Sequence, residues 1–277
     1  MRTIILPNEL NIDLNDIQIY DYHSAKEITK QQITLNYNTI SFLLQGSKEV
    51  YGNNSTLSIE NSEFLVMKSG HCLMTEKLSE KQQYRSFLLF FSNEILLKLA
   101  QKNKLLPSKQ KAYTSVYAFN YDSFVTGFVK SLIDISKLSK NTQQRMLKLK
   151  LEEIILYLSD KFGTDFLYSL IANSDNVTNK FMQTIESNKL NKLTLKELAF
   201  LCNMSVSSFK RQFEKQYAES PIKWFQNQRL EHAHYLIHKE KKSSSEIYYN
   251  VGYENLSSFI QAYKTKYGVT PKQQSMN

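Results

Sequence analysis

Toward the C-terminal end of this 277-residue chain, two short stretches collect side chains that can bind phosphates and base edges. They are Ser207, Ser208, Lys210 and Arg211, and then Ser257, Ser258, Gln261 and Lys264. Short polar residues at a helix N-terminus can meet phosphate oxygens together with the free backbone N–H groups, and a longer donor one turn later can reach into a groove. Arg211 can give a guanine edge two hydrogen bonds, Gln261 can pair two-fold with adenine, and lysines suit phosphate. Such chemistry needs two rigid helices, each with a buried back.

The spacing of aromatic residues supplies those backs. Phe209, Phe213, Tyr217 and Pro221 step by four, and Phe259, Tyr263, Tyr267 and Pro271 repeat the pattern fifty residues later. An aromatic every fourth residue marks one helix face, and the proline marks where the helix has ended. A shorter amphipathic segment precedes each copy, Leu195 to Cys202 and Ser244 to Val251, so each copy reads as a helix-turn-helix. Thr194 with Glu197 forms a capping box, Leu195, Leu198, Ala199 and Cys202 face inward, Asn203-Met204 turns, and Ser205 caps the next helix. In the second copy Glu246, Ile247 and Val251 follow their counterparts by 49 residues and the aromatics by 50. One extra residue has therefore entered the turn Gly252-Tyr253-Glu254-Asn255, where glycine permits positive φ. Ile260 and Lys266 are expected outward beside Ser257, Ser258, Gln261 and Lys264. Between the copies, Pro221 opens a long helix with apolar positions 222, 225, 230, 233, 236 and 237, a rigid spacer for helices entering successive major grooves about 34 Å apart.

The charge distribution follows the same division. Residues 177 to 277 hold 15 Lys+Arg against 8 Asp+Glu, while residues 1 to 176 hold 20 against 18, so most of the net +9 belongs to the repeat-bearing segment. That excess suits phosphate neutralisation, though solubility charge alone would read the same. The length fits two domains, expected at 1–172 and 177–277, with Asn173 to Asn176 as the hinge. Apolar runs are too short to span a membrane and no signal-peptide pattern opens the chain, so a soluble intracellular protein is expected. Cys72 and Cys202 are far apart and offer neither a disulfide framework nor a Cys-x-x-Cys knuckle, which fits a reducing cytoplasm.

Residues 17 to 92 read mainly as strands, with β-prone runs at 39–44, 49–51, 56–59, 64–67, 71–75 and 84–91, implying an antiparallel sandwich or barrel. Helices are expected at 93–104, 122–138 and 143–161, and Val177 to Asn188 as the first helix of the second domain. In the third of these helices Met146, Leu149, Ile154, Tyr157 and Leu158 share a face that Leu147, Leu151 and Ile155 widen. Such a stripe fits either a broadly buried helix or one that also meets a second subunit.

The order of helix-turn-helix, proline, Arg229-Leu230-Glu231-x-Ala233-x-x-Leu236-Ile237, and a second helix-turn-helix with Gly252-Tyr253 and a terminal Tyr267-Gly268-Val269-Thr270-Pro271, resembles the DNA-binding domain of AraC/XylS-type transcription regulators. The resemblance spans about residues 177 to 273. It implies a cytoplasmic bacterial transcription regulator, an activator, that binds double-stranded promoter DNA. Base or phosphate contacts fall on Ser207, Lys210, Arg211, Ser257, Gln261 and Lys264, and Arg229, Leu230 and Ala233 take a scaffold role. Tyr248 and Tyr249 depart from the small residue usual in the second unit's first helix, and Ser220 departs from the usual approach to the first proline. The family pattern further implies an α+β chain: a β-rich, cupin-like barrel with following helices, used for signal reception and dimerisation, ahead of an all-α C-terminal domain. RNA polymerase, a small-molecule effector or a regulatory protein, and a second copy are the implied partners.

The competing reading is a cupin-type metalloenzyme with an attached DNA-binding module. His23 and His71 without a His-x-His pair do not supply such a centre, no Ser-His-Asp order, phosphate loop or zinc signature appears, and neither catalytic residues nor a cofactor are expected. Of His232, His234 and His238, only the last two could share a face, where a polar surface pair is expected. Cys202 is read as a packing residue.

Overall fold

The computed structural model describes residues 2–10, 16–52, 56–105, 114–171 and 177–275; the expected hinge at 173–176 lies outside them. Two compact units emerge, Met1–Thr184 and Ile185–Asn277.

The first unit is built on β1 (Ile4–Leu6), β2 (Ile17–Ser24), β3 (Ile28–Leu35), β4 (Asn38–Gln45), β5 (Ser47–Tyr51), β6 (Thr56–Ile59), β7 (Glu63–Met67), β8 (Gly70–Lys77), β9 (Tyr84–Phe91) and β10 (Val116–Asn120). Its helices are α1 (Asn93–Lys102), α2 (Ser123–Ile135), α3 (Lys140–Phe162) and α4 (Asp165–Ile171). The strands form two five-stranded sheets, ordered β1-β3-β8-β5-β6 and β10-β7-β4-β9-β2. The pairings are antiparallel apart from β1, which lies parallel to β3. Among the described residues the sheets face one another as two layers and do not join into one closed barrel.

Period-two alternation in the second sheet serves two cores at once. Ile40, Phe42, Phe64, Val66, Phe87 and Leu89 pack with α1, α2, α3 and α4, while Leu43, Leu65, Met67 and Tyr84 pack toward the first sheet. A strand covered on both faces loses its polar alternation, and six consecutive residues of β4 from Asn38 are buried. Gly46 makes the turn after β4 at φ +88, and a Cβ there would come within 2.4 Å of the Lys77 carbonyl oxygen. Strand β8 carries His71 and the buried Cys72, whose thiol burial pushes up to about 12.

On α3 the inward stripe is Leu147, Leu151, Ile154, Ile155 and Leu158, while Leu149 is 63% exposed and Met146 36%. This corrects the expected face. Lys150 explains the rotation: it is buried, its ammonium lies 4.4 Å from the Phe128 ring centroid, and it pairs with Glu153 at 2.6 Å. A lysine stem can cover apolar surface while its head finds a ring face and a carboxylate.

The second unit follows α5 (Val177–Ser187), inside which the division between the units falls. It comprises α6 (Leu195–Leu201), α7 (Val206–Tyr217), α8 (Pro221–His238), α9 (Ser244–Ile247), α10 (Leu256–Tyr267) and α11 (Pro271–Ser275). Pro221 and Pro271 hold one role, opening the helix after each aromatic ladder, where a missing N–H costs nothing. Along α8, Phe225, Leu230, Ala233, Leu236 and Ile237 are buried as expected, but Ile222 is 66% exposed.

Candidate nucleic-acid interface

The first helix-turn-helix is locked at its caps. Thr194 Oγ1 accepts from the Glu197 N–H at 3.3 Å, and the Glu197 carboxylate accepts from the Thr194 N–H at 2.6 Å. Asn203 turns the chain with φ +55, a left-handed conformation that asparagine tolerates better than most residues. Ser205 then accepts from the Ser208 N–H at 3.2 Å, and its hydroxyl lies 3.0 Å from those of both Ser207 and Ser208. The start of α7 is therefore a cluster of three hydroxyls over free helix N–H groups. Ser207, Lys210 and Arg211 are exposed there, and Ser208 is half-buried within the cap.

Behind that face the aromatic ladder is continuous. Phe213 lies 5.8 Å from Phe209, 4.5 Å from Tyr217 and 5.6 Å from Trp224 between ring centroids, so the reading helix is keyed to the start of α8. Helix α7 ends at Ala218 with φ +52, matched fifty residues on by Gly268 at φ +77.

The second copy reproduces the plan with different parts. The Glu246 carboxylate accepts from the Ser243 N–H at 2.7 Å and from its hydroxyl at 2.6 Å, a tie that the Ser-x-x-Glu spacing announces and that the sequence reading missed. The Tyr248 departure has a structural counterpart: α9 stops at Ile247, Tyr248 packs half-buried on the second unit's core, and Tyr249 is 65% exposed. The Lys192 ammonium sits 4.1 Å from the Tyr249 ring centroid. Gly252 occupies the position of Asn203 at φ +94, and a Cβ there would strike Arg229 Cδ at 2.9 Å. Burial of Arg229 holds its guanidinium below the usual range, with Tyr253 opposing that shift. The guanidinium stem thus serves as the floor of the second turn.

Asn255 caps α10 by accepting from the Ser258 N–H at 2.8 Å, and Ser257, Ser258, Gln261 and Lys264 are exposed along its first turns. Two expected outward residues are not there. Ile260 is half-buried on the core of this unit, and Lys266 turns back onto α8, donating to the Asn227 carbonyl at 2.9 Å and to Glu231 at 2.9 Å. A lysine near a helix C-terminus finds carbonyl and carboxylate acceptors there, so residue spacing alone places it wrongly.

His234 and His238 are not a polar surface pair. His234 Nδ1 and the Tyr263 hydroxyl share a hydrogen bond at 2.7 Å, and the imidazole stacks on Tyr267 at 4.6 Å and on His238 at 5.9 Å. They extend the second aromatic ladder into α8. Burial pushes the Tyr263 phenol up to about 12, so the ladder carries no phenolate near neutrality. Cys202 is half-buried as the C-cap of α6. Among the described residues no three His, Cys, Asp or Glu groups gather to hold a metal ion, and no helix is long and apolar enough to cross a membrane.

Two capped helices, each with an exposed polar N-terminal face and an aromatic back, joined by one continuous helix, define a double helix-turn-helix DNA-binding region attached to a β-rich unit. Residues 38–170 match the family model described as the ExsA N-terminal regulatory domain, and residues 198–275 match a helix-turn-helix domain model. Both parts of the chain are thus similar to transcription regulators of the kind that the residue pattern resembles, the AraC/XylS type. It is 24% identical over 265 residues to the HTH-type transcriptional regulator ExsA of Pseudomonas aeruginosa, covering 89% of this chain and 94% of that one. It is 25% identical over 240 residues to the virulence regulon transcriptional activator VirF of Yersinia enterocolitica, covering 83% and 86%. With the thermoregulatory protein LcrF of Yersinia pestis it shares 28% over 156 residues, covering 56% and 57%. These matches lend the metalloenzyme reading no support.

Proposed function

We propose that this chain activates transcription by setting α7 and α10 into the major groove of promoter DNA, with residues 1–172 receiving the signal and residues 177–277 reading the site. Ser207, Ser208, Ser257 and Ser258 meet phosphates at the two helix N-termini, where backbone N–H groups and the helix dipole favour an anion. Arg211 and Gln261 reach base edges, and Lys210 and Lys264 neutralise phosphate. The observation that carries this reading is the repetition of an exposed hydroxyl-and-donor face on two capped helices, in register at an offset of fifty residues. The activator role draws on the name of the Yersinia relative VirF.

A second copy and RNA polymerase complete the proposed assembly in the bacterial cytoplasm. On α3, Met146, Leu149 and Leu156 are exposed at spacings of three and seven, one helix face that supports pairing with a second copy. The signal is a small molecule or a regulatory protein. Selection of duplexes from a random pool by the full chain tests the DNA reading. A site with two half-sites one helical turn apart is expected, and recovery of no preferred sequence would refute it.

A further inference from the structure

The two reading helices are both fastened to α8. Phe213 and Tyr217 of α7 pack on Trp224 near its start, with ring centroids 5.6 Å and 4.9 Å away. Tyr263 of α10 shares a hydrogen bond with His234 toward its end, and Lys266 donates to Glu231. With one helix as the whole link, bending along α8 would set the angle between α7 and α10. The structure holds a second link, off that axis.

Lys192 belongs to the connection ahead of the first helix-turn-helix, and its ammonium lies 4.1 Å from the ring centroid of Tyr249, beside the turn of the second. The lysine stem crosses Gly252. A Cβ on that glycine would come 3.6 Å from Lys192 Cγ and 2.9 Å from Arg229 Cδ, so the second turn is held between a side chain from ahead of the first copy and one from α8. Both ends of this tie are stiff. Asn191 Nδ2 donates to Asn188 Oδ1 at 3.0 Å, the Leu193 N–H donates to the Asn191 carbonyl at 2.9 Å, and Thr194 then enters the first capping box. On the other side the Gly252 N–H donates to the Tyr249 carbonyl at 3.1 Å, and the Tyr253 N–H to the Tyr248 carbonyl at 3.0 Å. With its ring 65% exposed, Tyr249 contributes through the ammonium contact more than through burial.

We propose that Lys192 and Tyr249 are positioning residues for DNA recognition: their contact, together with α8, holds the second helix-turn-helix at a fixed angle to the first and so sets the spacing of half-sites that one chain accepts. The inference rests on the reading of α7 and α10 as the two DNA-reading helices. Neither residue need touch DNA. A duplex of the fitted spacing is bound with the contact intact, and one of another spacing is read by both helices only once the contact is broken. The strength of the contact therefore emerges as a preference among spacings.

Fluorescence anisotropy of the full chain on the selected site, and on versions with one base pair added or removed between its half-sites, tests this. Each step turns the second half-site by about 35° around the duplex. The wild-type chain should prefer the parent spacing by at least about five-fold, since strain in α8 adds to the cost of breaking the contact. Lys192→Met, which keeps the stem and loses the charge, and Tyr249→Ala should each lower that preference about two- to five-fold, as much as an exposed ammonium–ring contact resists. Taking the ratio cancels any phosphate contact that Lys192 makes on all duplexes alike. Tyr249→Phe keeps the ring face and should keep the wild-type preference. The double variant should lose no more than either single one, because the two residues act through one contact. Four results would each overturn the tie and leave the DNA reading intact: no spacing preference in the wild-type chain, an unchanged preference in Lys192→Met and Tyr249→Ala, a loss in Tyr249→Phe equal to that in Tyr249→Ala, or additive losses in the double variant. If the chain selects no site from the random pool, the DNA reading fails and the spacing role fails with it.

Discussion

At the scale of single residues, the two reading helices are alike in plan and unlike in the means of recognition. Arg211 and Gln261 both stand exposed one turn into a capped helix, but only Arg211 carries charge. A guanidinium that grips a guanine with two hydrogen bonds contributes both affinity and sequence preference. Arg211→Ala should therefore weaken binding by about 1 to 3 kcal/mol and relax preference at one base pair. Fluorescence anisotropy on a set of single-base variants of the selected site makes the distinction: uniform weakening across the set would make Arg211 a phosphate contact. Gly252 shows a different kind of necessity. A side chain there would collide with Arg229 at positive φ, so the glycine and the buried arginine form one unit with the second turn.

At the scale of elements, α2 and α3 are tied by one carboxylate. Asp122 caps α2 by accepting from the Val125 N–H at 2.9 Å and also accepts from Lys161 and Tyr157 on α3. The hydrogen bond from Lys161, then those from Tyr157 and the Val125 N–H, hold its carboxyl well below the usual range, outweighing the small effect of burial. A depressed folded-state pKa means stability that is fully present above the unfolded value near 3.8 and is lost as pH falls toward the folded one. Asp122→Ala should cost about 1 to 2 kcal/mol near neutrality, the usual magnitude for an N-cap, and the gap to the wild-type chain should narrow below about pH 4. Calorimetric scans of both chains across that range check this; a gap unchanged at about pH 3 would assign the effect to something other than the charge. Legibility in the sequence also varied by element. The helix-turn-helix copies could be read because their determinants lie three to five residues apart, as with Thr194 and Glu197 or Phe209 and Phe213. The α3 face was misread because Lys150, a charged residue, belongs to the buried side, and only its contact with Phe128 on another helix reveals that. Strand β1 escaped because its partner β3 lies some thirty residues away in a parallel register, which no local pattern encodes. Lys266 was misplaced because its acceptors lie on α8, more than thirty residues earlier.

At the scale of the whole molecule, the net charge of +9 is concentrated where the two reading helices lie, and that concentration predicts how binding responds to salt. Each phosphate neutralised by a lysine or arginine releases condensed counterions, so log K should fall linearly with log salt at a slope of about −0.9 per contact. Lys210 and Lys264 are exposed on the two faces, and among the described residues neither forms an ion pair. Removing either side chain should therefore shallow the slope by about one and weaken all duplexes alike. Lys266, held by Glu231 and the Asn227 carbonyl, should leave the slope nearly unchanged when replaced by methionine. Titrations of the wild-type chain and the three variants between about 50 and 200 mM salt separate these outcomes. A flat wild-type isotherm over that range would remove phosphate neutralisation from the account, and a slope lost with Lys266 instead of Lys264 would place the phosphate track on the opposite edge of α10.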